Sequence, residues 1–565
     1  MSSATMTPPP VEGDAESQAH LKRLPTADQA VQDALDLAEL GHAETLTRKF
    51  SLWSMFFLAF SVLGTWSTFA QGLSSGLTAG GPVAILWGLV LVFVCNICVA
   101  VSLAEMCSAM PTAMGQAYWI WRLWPGGKGR FTSYLCAWIN KFGWWTLSAS
   151  QVAFMTDFML SMKVLYDPDW DGAHGWVRFL LYLAVTAFVT LFNVVACRRD
   201  AILPMFNNFV GICFVTLFFV FSLALLISVG VKDGNSFQPA SFVFGRWLNQ
   251  TGWNDGVTWF LGLVQAAYGL TAFDAAIHLV EEIPAPRKNI PRVMWLSVTM
   301  GAVSGFIFMV VCLFCIQDLD AVIDPSTGLP FMDLLKGTTG LTVATVLLSF
   351  FIFNGMGQAV SIVTTASRLT WSFARDGGIP WSPYFSKVNE TWRVPVRALW
   401  LQGGIIGLIG VLYTFADTVL EAILGVSVIA LTVSYGMPVL VLLMVGRDKL
   451  PPAEFKLGRF GTLINWISVF YCAITSVFFF FPGTPNPTVS DMNYAIAVFG
   501  IMMVVSLGFW VTKGRLTYLR ASEAEEIIIE ARRTELSQAA ADHPGAEGTG
   551  DVKDTIESFR ERRQS

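Results

Sequence analysis

The feature that most constrains this chain is a succession of apolar runs, each about 20 residues long and almost free of charge, a length that crosses a ~30 Å hydrocarbon core when wound as an α-helix. Lipid offers no water to a stray backbone N–H or C=O, so a spanning segment must be a helix or a strand of a closed barrel, and runs of this length select helices. They fall at residues 50–75, 82–104, 132–162, 177–197, 205–230, 257–280, 293–317, 341–366, 396–416, 418–446, 462–482 and 493–513, twelve in number. The expectation is an all-α polytopic membrane protein: twelve transmembrane helices within residues 45–520, a disordered tail over 1–44 and a second tail over 521–565, in which Glu523 to Thr534 can form a short surface helix. Composition opposes a string of soluble domains, since 14% of the 565 residues are charged and 54% hydrophobic, against roughly 25% charged in an average soluble domain.

The few charges set the orientation. Alternate loops carry clusters of Lys and Arg, among them Arg122, Lys128 and Arg130, then Arg198 and Arg199, then Arg287, Lys288 and Arg292, then Arg447 and Lys449. The intervening loops hold few basic residues and carry Asp318, Asp320, Asp324 and Asp333. The basic loops are expected in the cytoplasm, and an even number of spans then places both termini there, with the plasma membrane as the expected site. No short apolar stretch with a small-residue cleavage site precedes Phe50, so no cleaved signal peptide is expected. Asn249-Gln250-Thr251 lies in an outside loop on this topology and is a candidate glycosylation site, whereas Asn389-Glu390-Thr391 falls in a cytoplasmic loop and reads as chance. A net charge of -5 gives no ground for nucleic-acid binding. Cys95 and Cys98, like Cys312 and Cys315, lie inside apolar spans with no neighbouring His, so they read as small hydrophobes, and neither a metal nor another cofactor is expected.

A helix interrupted at mid-depth frees amides and carbonyls that a ligand can use. The first run contains Leu63-Gly64-Thr65-Trp66-Ser67-Thr68 and the sixth Tyr268-Gly269-Leu270-Thr271-Ala272-Phe273-Asp274. They stand five spans apart, the spacing of two inverted five-helix repeats; alternatively the small residues serve close helix packing. Asp274 is the one acid in the central part of the sixth span, and reads as a proton site, a cation partner or a structural hydrogen bond to a neighbouring helix. His278 and Glu281 follow it and read as a helix-end network toward the cytoplasm in preference to half of a metal site. Lys141 can snorkel or pair with an acid, while Asp157 and Glu421 read as solvated span ends. Trp66, Trp144, Trp145, Tyr268 and Phe273 offer aromatic faces to an ammonium group.

The segment from Phe273 to Glu282, followed by Pro286-Arg287-Lys288-Asn289-Ile290-Pro291, resembles the sixth helix and following loop of the amino acid-polyamine-organocation superfamily. Phe50-Ser51-Leu52-Trp53, Ile316-Gln317-Asp318-Leu319-Asp320-Ala321-Val322 and Trp371-Ser372-Phe373-Ala374-Arg375-Asp376-Gly377-Gly378-Ile379-Pro380 narrow the resemblance to the fungal amino acid/choline transporter family, with its choline and GABA permeases, over residues 45–520. The resemblance implies a transporter domain of two inverted five-helix repeats with broken helices 1 and 6 and two extra helices, working by alternating access and usually driven by protons. Carried over by position, Gly64 and Thr65 are implied to hold substrate through the backbone, and Tyr268 and Asp274 to act in gating and proton sensing. The break here reads Leu63-Gly64-Thr65-Trp66 in place of Gly-Ser-Gly, which leaves fewer flexible amides and suits an amine with less need of an anion hole.

These readings converge on an inward symporter of a small amine, choline or an amino acid such as GABA, with Gly64, Thr65, Trp66, Trp144, Tyr268, Gly269, Thr271 and Phe273 around the substrate and Asp274 coupling protons. Two alternatives stand beside it: a transporter of a specialised metabolite, an alkaloid or its amino acid precursor in a biosynthetic pathway, and a nutrient sensor without transport. An enzyme is not expected, since there is no nucleophile motif or paired metal ligands and Gly126-Gly127-Lys128-Gly129 lacks the spacing of a phosphate loop.

Overall fold

The computed structural model describes residues 27–520 other than 43, 168, 171–173, 415–418 and 489–491. Its main helices, in chain order, are α1 (Ala27–Glu39), α2 (Leu52–Leu63), α3 (Thr65–Gln71), α4 (Gly81–Ala109), α5 (Gln116–Leu123), α6 (Gly127–Tyr166), α7 (Gly175–Ala196), α8 (Ile202–Val231), α9 (Asp255–Gly269) and α10 (Ala275–His278). They continue with α11 (Pro286–Cys315), α12 (Leu341–Arg375), α13 (Val396–Gly410), α14 (Val419–Val445), α15 (Gly461–Phe478) and α16 (Ala495–Phe509). Each expected span coincides with helix. Among the described residues nine helices are long and apolar enough to cross a membrane. The other three expected spans differ for visible reasons: α6 is 40 residues long but mixes Lys141, Asp157 and many polar groups into its apolar sequence, α9 stops at the sixth-span break, and α13 has 15 residues.

Local chemistry sets the ends that matter for the site. Ser51 and Ser54 form a reciprocal capping box that starts α2. The Asn254 side chain accepts from the Val257 amide at 3.1 Å and starts α9. α11 opens with Pro286 in its first turn, where the missing N–H costs nothing. α6 lies at the centre, packed on α12 and α14, while α11 packs on α4 and on both halves of span 1. Lipid-directed faces stay apolar, with Phe188, Phe209, Phe219, Ile227 and Phe353 exposed.

The chain segments near residues 33–50 and 515–519 meet at one end of the bundle. Leu519 N–H donates to the Asp376 carbonyl and Phe50 N–H to the Glu282 carbonyl. Residues 27–39, expected as part of a disordered tail, instead form α1 and dock there. Asp33 accepts from the Ala285 amide at 2.9 Å and lies 3.7 Å from Arg48, Asp36 pairs with Arg287 at 2.7 Å, and Leu37 is buried. Asp33 and Asp36 are thus neutralised by Arg48, fifteen residues on from Asp33, and by Arg287 of the loop after span 6. The stretch Glu523 to Thr534 and the tail over 521–565 lie outside the described residues, as does the side chain of Glu421.

Candidate functional site

The two expected interruptions are both present and are built differently. In span 1 a single residue, Gly64, turns left-handed at φ 54° and ψ 29°, closing α2 and opening α3. A Cβ there would run into the Gln358 side chain, so glycine is required by both the backbone and its neighbour. The carbonyls beside the turn are taken up locally: Ser67 Oγ and Thr68 N donate to Gly64 O at 2.8 Å, and Thr68 Oγ1 donates to Leu63 O at 3.3 Å. In span 6 the helix stops at Gly269 and resumes at Ala275, and within the gap Ala272 holds φ 67°, a left-handed conformation that costs a β-carbon residue about 1–2 kcal/mol.

Side chains from elsewhere hold that gap. Tyr435 of α14 accepts from the Ala272 amide at 3.2 Å and donates to Asp274 Oδ1 at 2.7 Å. The other carboxylate oxygen, Oδ2, receives Gln116 Nε2 at 3.0 Å, Asn140 Nδ2 at 3.1 Å, Trp144 Nε1 at 3.3 Å and His278 Nε2 at 3.0 Å. Oδ2 is crowded beyond its two lone pairs while Oδ1 takes one donor, and because the acid is fully buried it offers no accessible face to an ammonium ligand in this conformation. Gln116 Oε1 and Asn140 Oδ1 beside it are buried without partners. His278 turns inward to Asp274 and does not join the ionic network at the helix end, which was its expected place. Its Nδ1 lies 2.9 Å from the Ala113 carbonyl in the turn before α5.

Glu281 and Glu282 do form that network. Arg375 chelates Glu281 at 3.0 and 3.1 Å, and Glu281 also accepts from the Ala113 amide at 3.2 Å. Glu282 pairs with Arg368 at 2.7 Å and with Lys49 at 2.8 Å. Burial pushes the Glu282 carboxyl up, and the Arg368 and Lys49 charges outweigh it and hold it down at about 2. Burial also pushes up Asp376, opposed by Arg375 and reinforced by the Glu281 charge, to about 6.

The remaining candidates separate into groups. Trp144 and Phe273 close around the carboxylate, the first by its indole N–H and the second by a ring 4.8 Å from Tyr435. Tyr268 binds Ser150 at 2.8 Å and is 9% exposed, and the Thr271 amide donates to the Tyr268 carbonyl. Gly269 admits the Phe69 ring of α3, and Gln265 donates to the Phe69 carbonyl at 2.8 Å, so the second half of span 1 and the first half of span 6 touch directly. Trp66 is packed among Phe214, Phe221, Phe308 and Phe351, with rings 5.0 to 6.1 Å away, so its faces are covered by aromatic core. Buried polar atoms without a partner include Thr65 Oγ1, Trp66 Nε1, Gln71 Nε2 and Oε1, and Gln265 Oε1, all on the second half of span 1 or the first half of span 6.

Lys141 neither snorkels nor meets an acid: its ammonium donates to the Ala366 carbonyl at 2.7 Å and Gln402 Oε1 at 3.1 Å and lies 5.3 Å from the Trp145 ring centre. Asp157, expected to be solvated, is largely buried and sits 3.6 Å from Arg178. Asn249 is exposed, with its amide donating to Trp253 O and Asp255 Oδ1 at 2.8 and 2.9 Å. The nine cysteines are free, and no group of metal-ligating side chains occurs among the described residues. Sequence reasoning missed Gln116, Asn140, Ala272 and Tyr435. A polar amide within or beside an apolar span was a readable signal for the first two; Tyr435 gave none.

A family model for amino acid permeases matches residues 50–504. The chain is 31% identical to the choline transporter of Saccharomyces cerevisiae over 85% of this chain and 84% of that protein. It is 26% identical to the GABA-specific permease of the same yeast over 86% and 84%, and 25% identical to an amino-acid permease of Arabidopsis thaliana over 85% and 94%. With its broken sixth helix, buried carboxylate and all-helical membrane architecture, the chain belongs to the amino acid permease family.

Proposed function

We propose that this protein is a proton-coupled secondary transporter of a small amine, choline or an amino acid such as GABA, in the plasma membrane with both termini cytoplasmic. Membership of the permease family and the choline and GABA relatives support a membrane transporter of this substrate class. One observation carries the coupling mechanism: Asp274, buried in the gap of span 6, is held by donors from α5, α6, α10 and α14 at once. A proton gained or lost at this cluster changes the charges on which these bonds depend, and the change reaches Tyr435, which also fixes the strained Ala272. A proton thus has a different affinity for the conformer with the network closed and the conformer with it open, which is the requirement for coupling.

Substrate then belongs against the outer halves of spans 1 and 6, where Gly64, Thr65, Tyr268, Gly269 and Thr271 lie and where unpartnered buried polar atoms collect. The complete burial of the carboxylate, with donors already on both oxygens, argues against direct binding of an ammonium group by Asp274. Twelve spans in two inverted repeats, and glycosylation of the exposed Asn249, complete the proposal. The test is uptake by proteoliposomes of labelled choline, GABA, basic amino acids and cyclic amines, with and without an imposed pH gradient. Accumulation of one of these driven by the gradient is the expected result, and uptake indifferent to the gradient removes the coupling.

A further inference from the structure

The hydrogen-bond accounting around Asp274 assigns a place to the proton. Both ring nitrogens of His278 face acceptors: Nδ1 the Ala113 carbonyl at 2.9 Å and Nε2 the Asp274 carboxylate at 3.0 Å. A neutral imidazole has one donor and one acceptor nitrogen, so it satisfies only one of these contacts and sets a lone pair against an oxygen at the other. The ring is fully enclosed, and water is excluded from both nitrogens. The second proton lies between Nε2 and Oδ2, either on the ring, as imidazolium facing carboxylate, or on the acid, as a carboxyl donating to Nε2, and both satisfy the two contacts. The neighbours select the first: Gln116, Asn140 and Trp144 donate to the same Oδ2 and Tyr435 donates to Oδ1, so four further donors converge on the acid and favour its charged form.

We propose that His278 and Asp274 bind the coupling proton as a pair, that it resides on His278 in this conformer, and that its departure unlatches Ala113. This rests on the proton-coupled reading above. Of the two nitrogens, Nε2 keeps its hydrogen, because its bond to the carboxylate is charge-assisted. The proton therefore leaves from Nδ1, and it reaches water only in the conformer in which the turn before α5 has moved aside. The Nδ1 lone pair then opposes the Ala113 carbonyl, while the Ala113 amide stays on Glu281. One peptide of the turn before α5 is gripped at both poles by the end of span 6, and loss of one proton releases one pole.

The titratable groups around the pair are Tyr435 on α14, Cys136 on α6, whose thiol faces the Ser434 carbonyl at 3.6 Å, and Glu281 of the same helix end with Arg375 and Asp376 on α12. Glu282 lies next along, tied to Arg368 and Lys49, and Lys141 on α6 is engaged by α12 and α13. Asp376 titrates near about 6 and must be separated from His278 in any pH experiment.

Two measurements decide the matter. In proteoliposomes, His278→Gln keeps a donor for one side but has no group that gains or loses a proton. Its pH-gradient stimulation of uptake is expected to fall from on the order of tenfold, a common size for coupling, to about one, while substrate counterflow persists and shows that the variant folds. Gradient stimulation that survives in His278→Gln but is lost in Asp274→Asn overturns the role of His278 and leaves the coupling reading intact; an unstimulated wild type fails that reading itself. The second measurement needs no His278 variant: hydrogen exchange of the 110–115 backbone in Asp376→Asn nanodiscs, corrected for the intrinsic pH dependence of exchange. Protection is expected to fall as the pH rises and the imidazolium deprotonates, and a flat profile overturns the latch.

Discussion

The two broken spans invite comparison because they share a depth and a partner but not a construction. Span 1 turns on one glycine, with its loose carbonyls satisfied by Ser67 and Thr68 from the next turn of the same helix. Span 6 opens over several residues, tolerates a left-handed alanine, and owes its shape to Tyr435 and to the donors gathered on Asp274. A break satisfied by its own helix is a fixed bend, indifferent to what its neighbours do. A break satisfied by three other helices as well as its own second half is conditional, since moving or recharging any of them changes its energy.

The largest effect is expected at the seam joining the spans, where Glu282 ties the end of span 6 to Lys49 at the entry of span 1 and to Arg368. Glu282→Ala leaves two buried cations unpaired, a cost of about 3–5 kcal/mol. The termini side should open, read as faster modification of Cys197, whose sulfur lies 3.9 Å from Arg368. Unchanged Cys197 reactivity would mean that the seam does not hold this face shut. Gly64→Ala comes next, at about 2–3 kcal/mol, from left-handed strain and the displaced Gln358 amide. Transport should fall, and adding Gln358→Ala should restore only the packing part. Full recovery in the double variant would show that the bend itself is dispensable.

Tyr435→Phe should cost about 1–3 kcal/mol by leaving the Ala272 amide unpaired and Asp274 one donor short. Its signature is a shifted pH profile of uptake with little change at saturating proton; a parallel loss at all pH values would make Tyr435 merely structural. Asp376 supplies a pH effect of known sign. Its carboxyl is raised from 3.8 to about 6 in this closed arrangement, so its contribution to closure is fully present below the unperturbed value and is lost as pH rises through about 6. Asp376→Asn should remove that component from the pH dependence of Cys197 labelling and leave the slope due to other groups. The smallest change is Ala272→Gly, which relieves left-handed strain against a backbone-entropy cost, for a net gain under about 1 kcal/mol. A modest rise in thermal stability is expected, and a fall would mean that the alanine methyl packs productively.

The fold was legible because lipid allows so little else: apolar runs became helices, and the position of the gap in span 6 followed from its small residues and its acid. Partners were not legible where packing supplies them. Nothing in the sequence around Tyr435 or Gln116 says that each ends on Asp274, since both meet it across distances of more than 150 residues. Docking of α1 was hidden for the opposite reason, as Asp33 and Asp36 carry the pattern of a solvated segment until Arg48 and Arg287 arrive. Trp66 looked like a cation platform because a sequence does not show which aromatic faces are already covered.

Gly301 and Gly305 of α11 lie flush against Thr65 and Phe69, where an added Cβ would come within 2.5 to 2.8 Å. Bare backbone against a side-chain face leaves no protruding knob to set the register between the two helices. In mechanical terms this is a lap joint: the second half of span 1 is seated on α11 by area and by nothing that protrudes, so any side chain added at position 301 or 305 acts as a wedge between the two helices.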